Sequence, residues 1–304
     1  MRDQSSSAIG AAPSAARTAI LTIAAMFAFA ANSLLCRLAL GDGLIDAASF
    51  TTVRLLSGAL VLLLITLPRW RSHGRPVFDW RFSAALFTYM AFFSFAYLSL
   101  SAGTGALLLF GAVQLTMFSA AMLSGERLSL PSWGGLALTV FGLIYLLSPG
   151  VAAPDPTGAI LMLVSGIAWG SYSLLGRKVT DPLQATANSF VFAIPVALLV
   201  SAVFIGEFHS TRNGLILAVA SGAIASGLGY VIWYAALRGL AATHAATVQL
   251  SVPVVAALGG IVFLSEQITL RLIFASVAIL GGIMIVLTQR ASGVRKLGVT
   301  QDKN

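Results

Sequence analysis

The sequence predicts an all-α integral membrane protein: ten transmembrane helices arranged as two inverted five-helix repeats, with the N- and C-termini cytoplasmic. Three observations support this prediction: the composition, the length of the apolar runs and an internal repeat. Charged residues make up 9% of the 304 residues, against about 25% in an ordinary soluble domain. So little charge cannot cover a water-facing surface, and the composition therefore indicates a chain solvated by lipid.

Ten apolar runs are long enough to cross a bilayer as helices, which takes about 20 residues each. The runs are continuous and lack the period-two alternation of barrel strands. They cover residues 18–36, 47–66, 82–100, 104–123, 132–149, 158–175, 186–205, 214–236, 243–264 and 271–288. Turn-forming Gly, Pro and Asp residues separate many of them, which predicts short connections.

The chain repeats itself with an offset of 140 residues. The matches pair 33–37 with 173–177, 125–130 with 265–270, and Gly142 with Gly282. Three matches in one register indicate duplication of a five-helix unit. The predicted divisions are a disordered tail 1–16, a first repeat 17–148, an outer linker 149–157, a second repeat 158–290 and a basic cytoplasmic tail 291–304.

The distribution of Lys and Arg predicts the orientation, because cytoplasmic loops carry an excess of these residues. With the N-terminus inside, 14 basic residues fall in cytoplasmic segments and 3 in outer segments. Five helices per repeat is an odd number, so the second copy enters the membrane from the opposite side. Arg37 then lies at the outer end of helix 1, and its counterpart Arg177 at the inner end of helix 6. Inverted repeats of this kind are typical of secondary transporters.

Four stretches give the chain its resemblance to a known family. They are Arg54-Leu55-Leu56-Ser57-Gly58-Ala59-Leu60, Gly125-Glu126-Arg127-Leu128, Gln249-Leu250-Ser251-Val252-Pro253-Val254 and Ser265-Glu266-Gln267-Ile268. In order and spacing the chain resembles the drug/metabolite transporter superfamily, specifically its ten-helix EamA family, from about residue 18 to 288. The first copy departs from the pattern, with Val113-Gln114 where the second has Pro253-Val254.

The resemblance implies a transporter without an ATPase part that exports amino acids or related metabolites. The segment Ile167-Ala168-Trp169-Gly170-Ser171-Tyr172 looks like helix 6 of bacterial aromatic amino-acid exporters, which implies that Trp169 lines the substrate cavity. A multi-pass protein of the bacterial inner membrane is expected. Its partners would be a small-molecule substrate, amino acids, and the lipid bilayer, with no nucleic acid, because the basic residues form no stripe or patch.

The predicted substrate-binding residues are Trp169, Tyr230, Gln249, Asn32 and Phe110. Trp169 and Phe110 would form an apolar wall, and the amides of Gln249 and Asn32 would supply donors and acceptors at the polar end. Pro253 removes a helical hydrogen bond four residues after Gln249, which predicts a kink at that place. For each polar residue, hydrogen bonding between helices is the alternative role.

Ionisable residues inside the predicted helices are nearly absent. Arg54 lies within helix 2, and we expect it to extend to the membrane surface or to cap a neighbouring helix end; pairing with a substrate carboxylate is the alternative. Glu126 and Glu266 stand at helix ends, where we expect structural roles. Without a midplane acid, a facilitator driven by the substrate gradient is favoured over a proton antiporter.

The same scarcity of charge predicts the substrate class. Phosphorylated cargo needs several cations to offset its desolvation, and lipophilic cations call for a buried carboxylate; a zwitterion needs only dipoles and an apolar wall. Other neutral metabolites or drugs are the alternative cargo, and an integral-membrane enzyme acting on lipid is a further alternative. The motifs of catalytic and phosphate-binding sites are missing, so the sequence predicts no catalytic residue, no metal site and no cofactor.

Overall fold

The computed structural model describes residues 14–73, 79–126, 128–150, 152–177 and 179–301. Within these residues every regular element is a helix, apart from one antiparallel bridge between Ile45 and Ser210. Nine of the described helical stretches are long and apolar enough to cross a membrane. A further helix of 17 residues occupies the third predicted run, and at 1.5 Å per residue it is about 25 Å long. The predicted all-helical membrane architecture is therefore confirmed.

The first half of the described chain forms five helices that match the first five predicted runs. They are α1 Ala15–Gly41, α2 Ala47–His73, α3 Trp80–Ala96, α4 Ala102–Leu123 and α5 Leu130–Leu147. Side chains cap several helix starts: the hydroxyl oxygen of Ser101 accepts a hydrogen bond from the N–H of Thr104, and Ser129 does the same for Ser132. Each such cap contributes about 1 kcal/mol, because the first N–H groups of a helix have no partner within it.

The second half is more broken than the first. It comprises α6 Pro156–Gly176, α7 Pro182–Val203, a 3₁₀ turn Ile205–Glu207, α8 Arg212–Val219, a π-helical segment Ala220–Leu228, α9 Gly229–Leu237, α10 Ala242–Gln249, α11 Ser251–Leu264 and α12 Leu270–Gln301. The predicted kink is present, since the helix is interrupted at Leu250, three residues before Pro253. The π segment within the eighth run was not predicted.

The predicted terminal tails can be compared with the structure only in part. Residues 1–13 of the predicted disordered tail lie outside the described residues, and Ala15 and Ala16 already belong to α1. At the other end, α12 extends beyond the predicted run 271–288 to Gln301. The described part of the predicted basic tail is therefore helical.

Helices pack in pairs that recur five runs apart. The π segment and α9 belong to the eighth predicted run, and α11 belongs to the ninth. The third run packs on the sixth (α3 on α6), and five runs further along the eighth packs on the first (α9 on α1). In the same way α4 packs on α6 as α11 packs on α1, and α2 packs on the π segment as α7 packs on α3. α5 packs closely on α12, where the Thr139 hydroxyl donates to the Ile279 carbonyl oxygen of α12 at 3.5 Å. A Cβ on Gly135 would lie 2.6 Å from the carbonyl oxygen of Gly282, so the absence of side chains lets these two backbones touch. This packing pattern has the same period as the sequence repeat.

Hydrogen bonds between helix ends show which ends lie together. Arg37, in the last turns of α1, donates from Nη1 to the carbonyl oxygen of Leu98 at 3.4 Å. The neighbouring Ser99 hydroxyl donates to Asp155 Oδ1 at 2.9 Å, so the start of α6 lies at the same end of the molecule as Arg37. α6 has 21 residues and is about 30 Å long. Arg177, which follows α6, therefore lies at the opposite end.

Candidate functional site

A cavity of about 290 Å³ lies among α1, α4, α6, α7, α9 and α10. Its deep part is lined by the buried aromatic side chains of Phe29, Phe110, Trp169 and Tyr230. Its lining also includes Arg177 and Ala242, which are exposed, so the cavity opens at the end of the molecule opposite Arg37. The volume is near the lower limit of small-molecule pockets, about 300–1,000 Å³, and suits a small solute.

The floor of the cavity is a cluster of aromatic rings in edge-to-face contact. The Phe29 ring lies 6.0 Å from Trp169 and 6.1 Å from Tyr230 between centroids. Phe110 lies 5.4 Å from Trp169 in the same kind of arrangement. Pairs of this geometry contribute about 0.5–1.5 kcal/mol beyond the area that they bury. The floor is therefore an apolar surface whose rings hold one another in place.

The wall above the floor carries neutral polar groups. The amide side chains of Gln114 and Gln249 line the cavity. The hydroxyl of Thr186 lies 2.7 Å from that of Tyr172 and 3.0 Å from that of Tyr234, and so links α6, α7 and α9. Every residue lining this cavity in the described chain lacks a carboxylate, and Arg177 at the mouth supplies the cation. The cavity can therefore offer hydrogen bonds and ring faces, and it suits a solute that carries no strong net charge.

Four of the five predicted substrate-binding residues line this one cavity: Trp169, Tyr230, Gln249 and Phe110. Asn32 differs from the prediction, because it is not part of the lining. Asn32 is buried, and its Oδ1 accepts a hydrogen bond from the Ser221 hydroxyl at 2.7 Å. Ser221 belongs to the unpredicted π segment, so the sequence offered no sign of this partner. That the four lining residues bind substrate stays a prediction.

Several lining residues were missed, most of them aromatic: Phe29, Tyr172, Trp233 and Tyr234. Helical spacing carried a signal for three of them. Tyr172 follows Trp169 by three residues, and Trp233 and Tyr234 follow Tyr230 by three and four, so they share its helix face. Phe29 stands in a uniformly apolar run and carried no such signal.

The end of the molecule that contains Arg37 is closed by a charged cluster, which we call the Glu266 end (Arg37, Ala102 and Glu266). Arg37 Nε lies 3.4 Å from Glu266 Oε1. The backbone N–H of Ala102, at the start of α4, donates to both carboxylate oxygens at 3.0 Å. A carboxylate is favourable there because the N-terminus of a helix carries a partial positive charge. This cluster ties α1, α4 and the α11–α12 connection together.

The residues equivalent to the Glu266 end, 140 positions away, belong to the opposite end of the molecule. We call this group the Arg177 end; it consists of Glu126, Arg177 and Ala242. Arg177 and Ala242 both line the cavity. Arg37 and Ala102 therefore belong to a closed cluster at one end, whereas their equivalents Arg177 and Ala242 border an opening at the other.

The expectation that Arg54 extends to the membrane surface or caps a helix end is wrong. Its side chain is 1% exposed. Arg54 Nε donates to the Ser226 hydroxyl at 3.3 Å, and Nη2 donates to the Tyr89 hydroxyl at 3.2 Å. By contrast, Glu266 takes the structural role at a helix end that its position predicted.

Comparison with known proteins connects this architecture to one family. The model of the EamA-like transporter family matches residues 156–288. An uncharacterised protein of Pseudomonas aeruginosa is 51% identical over 282 residues, covering 93% of this chain and 98% of its own length. The threonine/homoserine exporter RhtA of Salmonella typhimurium is 28% identical over 251 residues, covering 79% of this chain and 82% of its own.

A solved structure supports the fold independently. A crystal structure of a protein 18% identical in sequence superposes with a TM-score of 0.62, covering 90% of this chain and 98% of that one. At such low sequence identity the similarity shows a shared fold and nothing about function. Together with the membrane-spanning helices and the cavity between them, the family match and the extensive similarity to the Pseudomonas protein give one conclusion: the chain belongs to the EamA-like transporter family and is a multi-pass transporter of the bacterial inner membrane.

Proposed function

We propose that this transporter exports amino acids and related small zwitterionic metabolites by alternating access around the central cavity. The observation that carries the proposal is the lining of that cavity, in which an aromatic floor meets neutral amide and hydroxyl groups. The rings of Trp169, Tyr230 and Trp233 offer faces to an ammonium group. Gln114 and Gln249 offer hydrogen bonds to either charged group of a zwitterion.

The charges of the lining argue against other cargo. A phosphorylated solute would require several cations to offset the desolvation of its phosphate, and the described lining contains only Arg177. A lipophilic cation would require a carboxylate, which this lining does not contain. The similarity to a protein named as a threonine/homoserine exporter supports amino acids over other neutral metabolites or drugs, which are the alternative cargo.

In this mechanism the closed end opens while the open end closes, so that the cavity faces each side of the membrane in turn. The Glu266 end is held shut by an ion pair and two hydrogen bonds to one helix start. In the opposite state, Glu126 would approach Arg177 and the start of α10 at Ala242, while the Arg37–Glu266 pair separates. We assign the Arg177 end to the cytoplasm, since the excess of Lys and Arg puts both termini there. Export then begins with the conformation seen here.

Transport in proteoliposomes tests the proposal. Each of the twenty labelled amino acids is loaded separately into vesicles that contain the protein. At least one of them should be released faster than from vesicles without the protein. Trp169→Ala and Gln249→Ala should each lower that flux, about tenfold where an aromatic contact or a hydrogen bond to a charged group is lost. Trp133→Ala and Asn213→Ala are matched controls, because both side chains are exposed and neither lines the cavity. Absence of amino-acid flux, or flux unchanged in both cavity variants, would reject the assignment.

The source of energy is a separate part of the proposal. The described lining has no acid that could carry a proton, so we propose that the substrate gradient alone drives transport. A pH gradient imposed without a substrate gradient should then give no net accumulation. Accumulation of the amino acid under that condition would favour a proton antiporter instead.

A further inference from the structure

Arg54 is a buried cation without an anionic partner among the described residues. The ion pair between Arg37 and Glu266 does not involve Arg54. Arg54 Nη1 is buried and has no acceptor on the described part of the chain. A guanidinium taken out of water with one group unpaired costs free energy that a neutral residue would not. A structural role alone therefore gives a poor account of this residue.

The neighbours of Arg54 bind two of the three nitrogen atoms of its guanidinium group. Hydroxyl groups of Ser226 and Tyr89 accept from Nε and Nη2, and the guanidinium carbon lies 5.0 Å from the centroid of the Phe93 ring. These contacts stabilise the cation in part, since ring faces attract it. They leave Nη1 available, and a planar guanidinium matches the geometry of a carboxylate.

The π segment supplies one of these contacts and packs closely against the helix that carries Arg54. Its i→i+5 period places Ser221 and Ser226 on one face, where Ser221 binds Asn32 and Ser226 binds Arg54. A Cβ on Gly222 would overlap the carbonyl oxygen of Arg54, so this turn approaches α2 closely. π-helical turns inside α-helices are frequent at functional sites. The backbone irregularity and the unpaired cation thus coincide.

One layer of aromatic rings separates Arg54 from the cavity. The Tyr89 hydroxyl accepts from Arg54, and the Tyr89 ring stacks on Trp169 with centroids 5.1 Å apart. Trp169 is part of the cavity floor. A movement that separates Tyr89 from Trp169 would therefore connect the cavity to the guanidinium.

We propose that Arg54 Nη1 binds the carboxylate of the transported solute in the conformation in which the Tyr89–Trp169 stack opens. The inference rests on the proposed transport function and adds a requirement to it: the substrates carry a carboxylate. Arg54 is then a second subsite, deeper than the cavity seen here. A carboxylate would supply the acceptor that Nη1 lacks among the described residues.

Matched pairs of solutes test the requirement in proteoliposomes. Leucine with leucinamide, and threonine with threoninamide, differ in the carboxylate while keeping size and ammonium group. The wild type should carry each acid about tenfold or more faster than its amide, the effect of one hydrogen bond to a charged group. In Arg54→Gln the acid flux should fall about tenfold while the amide flux stays within about twofold. Arg54→Lys, which keeps the charge and loses the fork, should be intermediate.

The controls separate this inference from the proposed function. Arg81→Gln removes an exposed arginine and should leave both fluxes unchanged. If Arg54→Gln keeps the preference of the wild type for the acid, the Arg54 site is overturned while amino-acid transport stands.

If the wild type carries no amino acid, the proposed function fails, and binding decides on Arg54. Sodium valerate should raise the melting temperature of purified wild-type protein and valeramide should not; no valerate effect, or an equal effect in Arg54→Gln, overturns the site. Arg54→Met serves as a second variant, and its melting temperature should equal or exceed that of the wild type because a buried unpaired charge is removed. A clear fall in that temperature would instead support a structural role.

Discussion

The Glu266 end and the Arg177 end are built from equivalent residues, 140 positions apart, and yet only one of them is shut. At the Glu266 end, a carboxylate joins Arg37 to the first N–H group of α4. At the Arg177 end, the equivalent arginine and the equivalent helix start line the open cavity. The same residue types thus border a closed end in one place and an open one in the other, as an alternating mechanism requires.

The backbone turns at the two ends do not account for this difference. Gly125, which precedes Glu126, has φ of +87°, and its equivalent Ser265, which precedes Glu266, has φ of +54°. Both turns are therefore left-handed at the same position. What differs is the surroundings of the other residues: Arg177 and Ala242 line the cavity, whereas Arg37 and Ala102 contact Glu266.

Glu266→Ala is expected to have the largest effect on the difference between the two ends. It removes the ion pair and the acceptor for Ala102, which are worth about 1.5–3 kcal/mol for a hydrogen-bonded charge. The Glu266 end should then open, and the rate at which Cys36 reacts with a hydrophilic maleimide in nanodiscs should rise about tenfold or more. Cys36 is the only cysteine of the chain and is 0% exposed.

The matched change at the other end is Glu126→Ala, which should leave Cys36 protected or protect it further. Equal reactivity of Cys36 in the wild type and in Glu266→Ala would show that this cluster does not hold the end shut.

Gly260→Ala should have a smaller effect at the same place. A Cβ on Gly260 would overlap Glu266 Oε2, and overpacking of this kind costs about 1 kcal/mol or more. Cys36 labelling should rise about fivefold. In Gly281→Ala the new Cβ meets nothing within 4 Å, so this control should label as the wild type does; a similar rise in both variants would remove the explanation through Glu266.

Substitutions in the two left-handed turns should change stability modestly and in opposite directions. A non-glycine residue in this conformation costs roughly 1–2 kcal/mol. Ser265→Gly should therefore raise the free energy of unfolding in mixed micelles, and Gly125→Ala should lower it. Changes of the same sign in both variants would contradict the equivalence of the two turns.

The smallest expected effect is on the melting temperature and comes from Asp155, which lies at the end that contains Arg37. Hydrogen bonds from the Gly158 N–H and the Ser99 hydroxyl hold the pKa of this exposed carboxyl below its ordinary value. A carboxyl whose pKa is lower in the folded state stabilises the fold above its unfolded pKa, and the effect is lost as the pH falls through the folded pKa. The melting temperature of the wild type should slightly exceed that of Asp155→Asn at pH 7; the difference should begin to shrink below about pH 3.9, the ordinary pKa of an Asp, and disappear once the pH is below the lowered pKa of the folded state. A difference that persists there would not come from this carboxylate.

Much of the fold followed from the sequence because lipid leaves few choices to the backbone. A long apolar run must satisfy its own N–H and C=O groups, so length and composition suffice to predict a helix. The break beside Gln249 followed from Pro253, which lacks the N–H group that a continuous helix needs. The π segment had no comparable signal, since none of its residues excludes an α-helix.

The candidate site was predictable in part for the same reason. Trp169, Tyr230, Gln249 and Phe110 stood out as large or polar groups in apolar runs, and they line one cavity. Asn32 and Arg54 stood out too, but their partners Ser221 and Ser226 lie on the π segment. Which face a polar side chain uses depends on that local backbone, so the sequence could indicate these two residues without locating them.

Distances measured across both ends of the same molecule show whether the two ends open and close in turn. In a Cys36→Ser background, spin labels at Leu98 and Ile268 would span the Glu266 end, and labels at Val179 and Ala241 would span the Arg177 end. We expect opposite changes: Glu266→Ala lengthens the first distance and shortens the second. If both distances stay fixed, or both lengthen together, the two ends do not alternate.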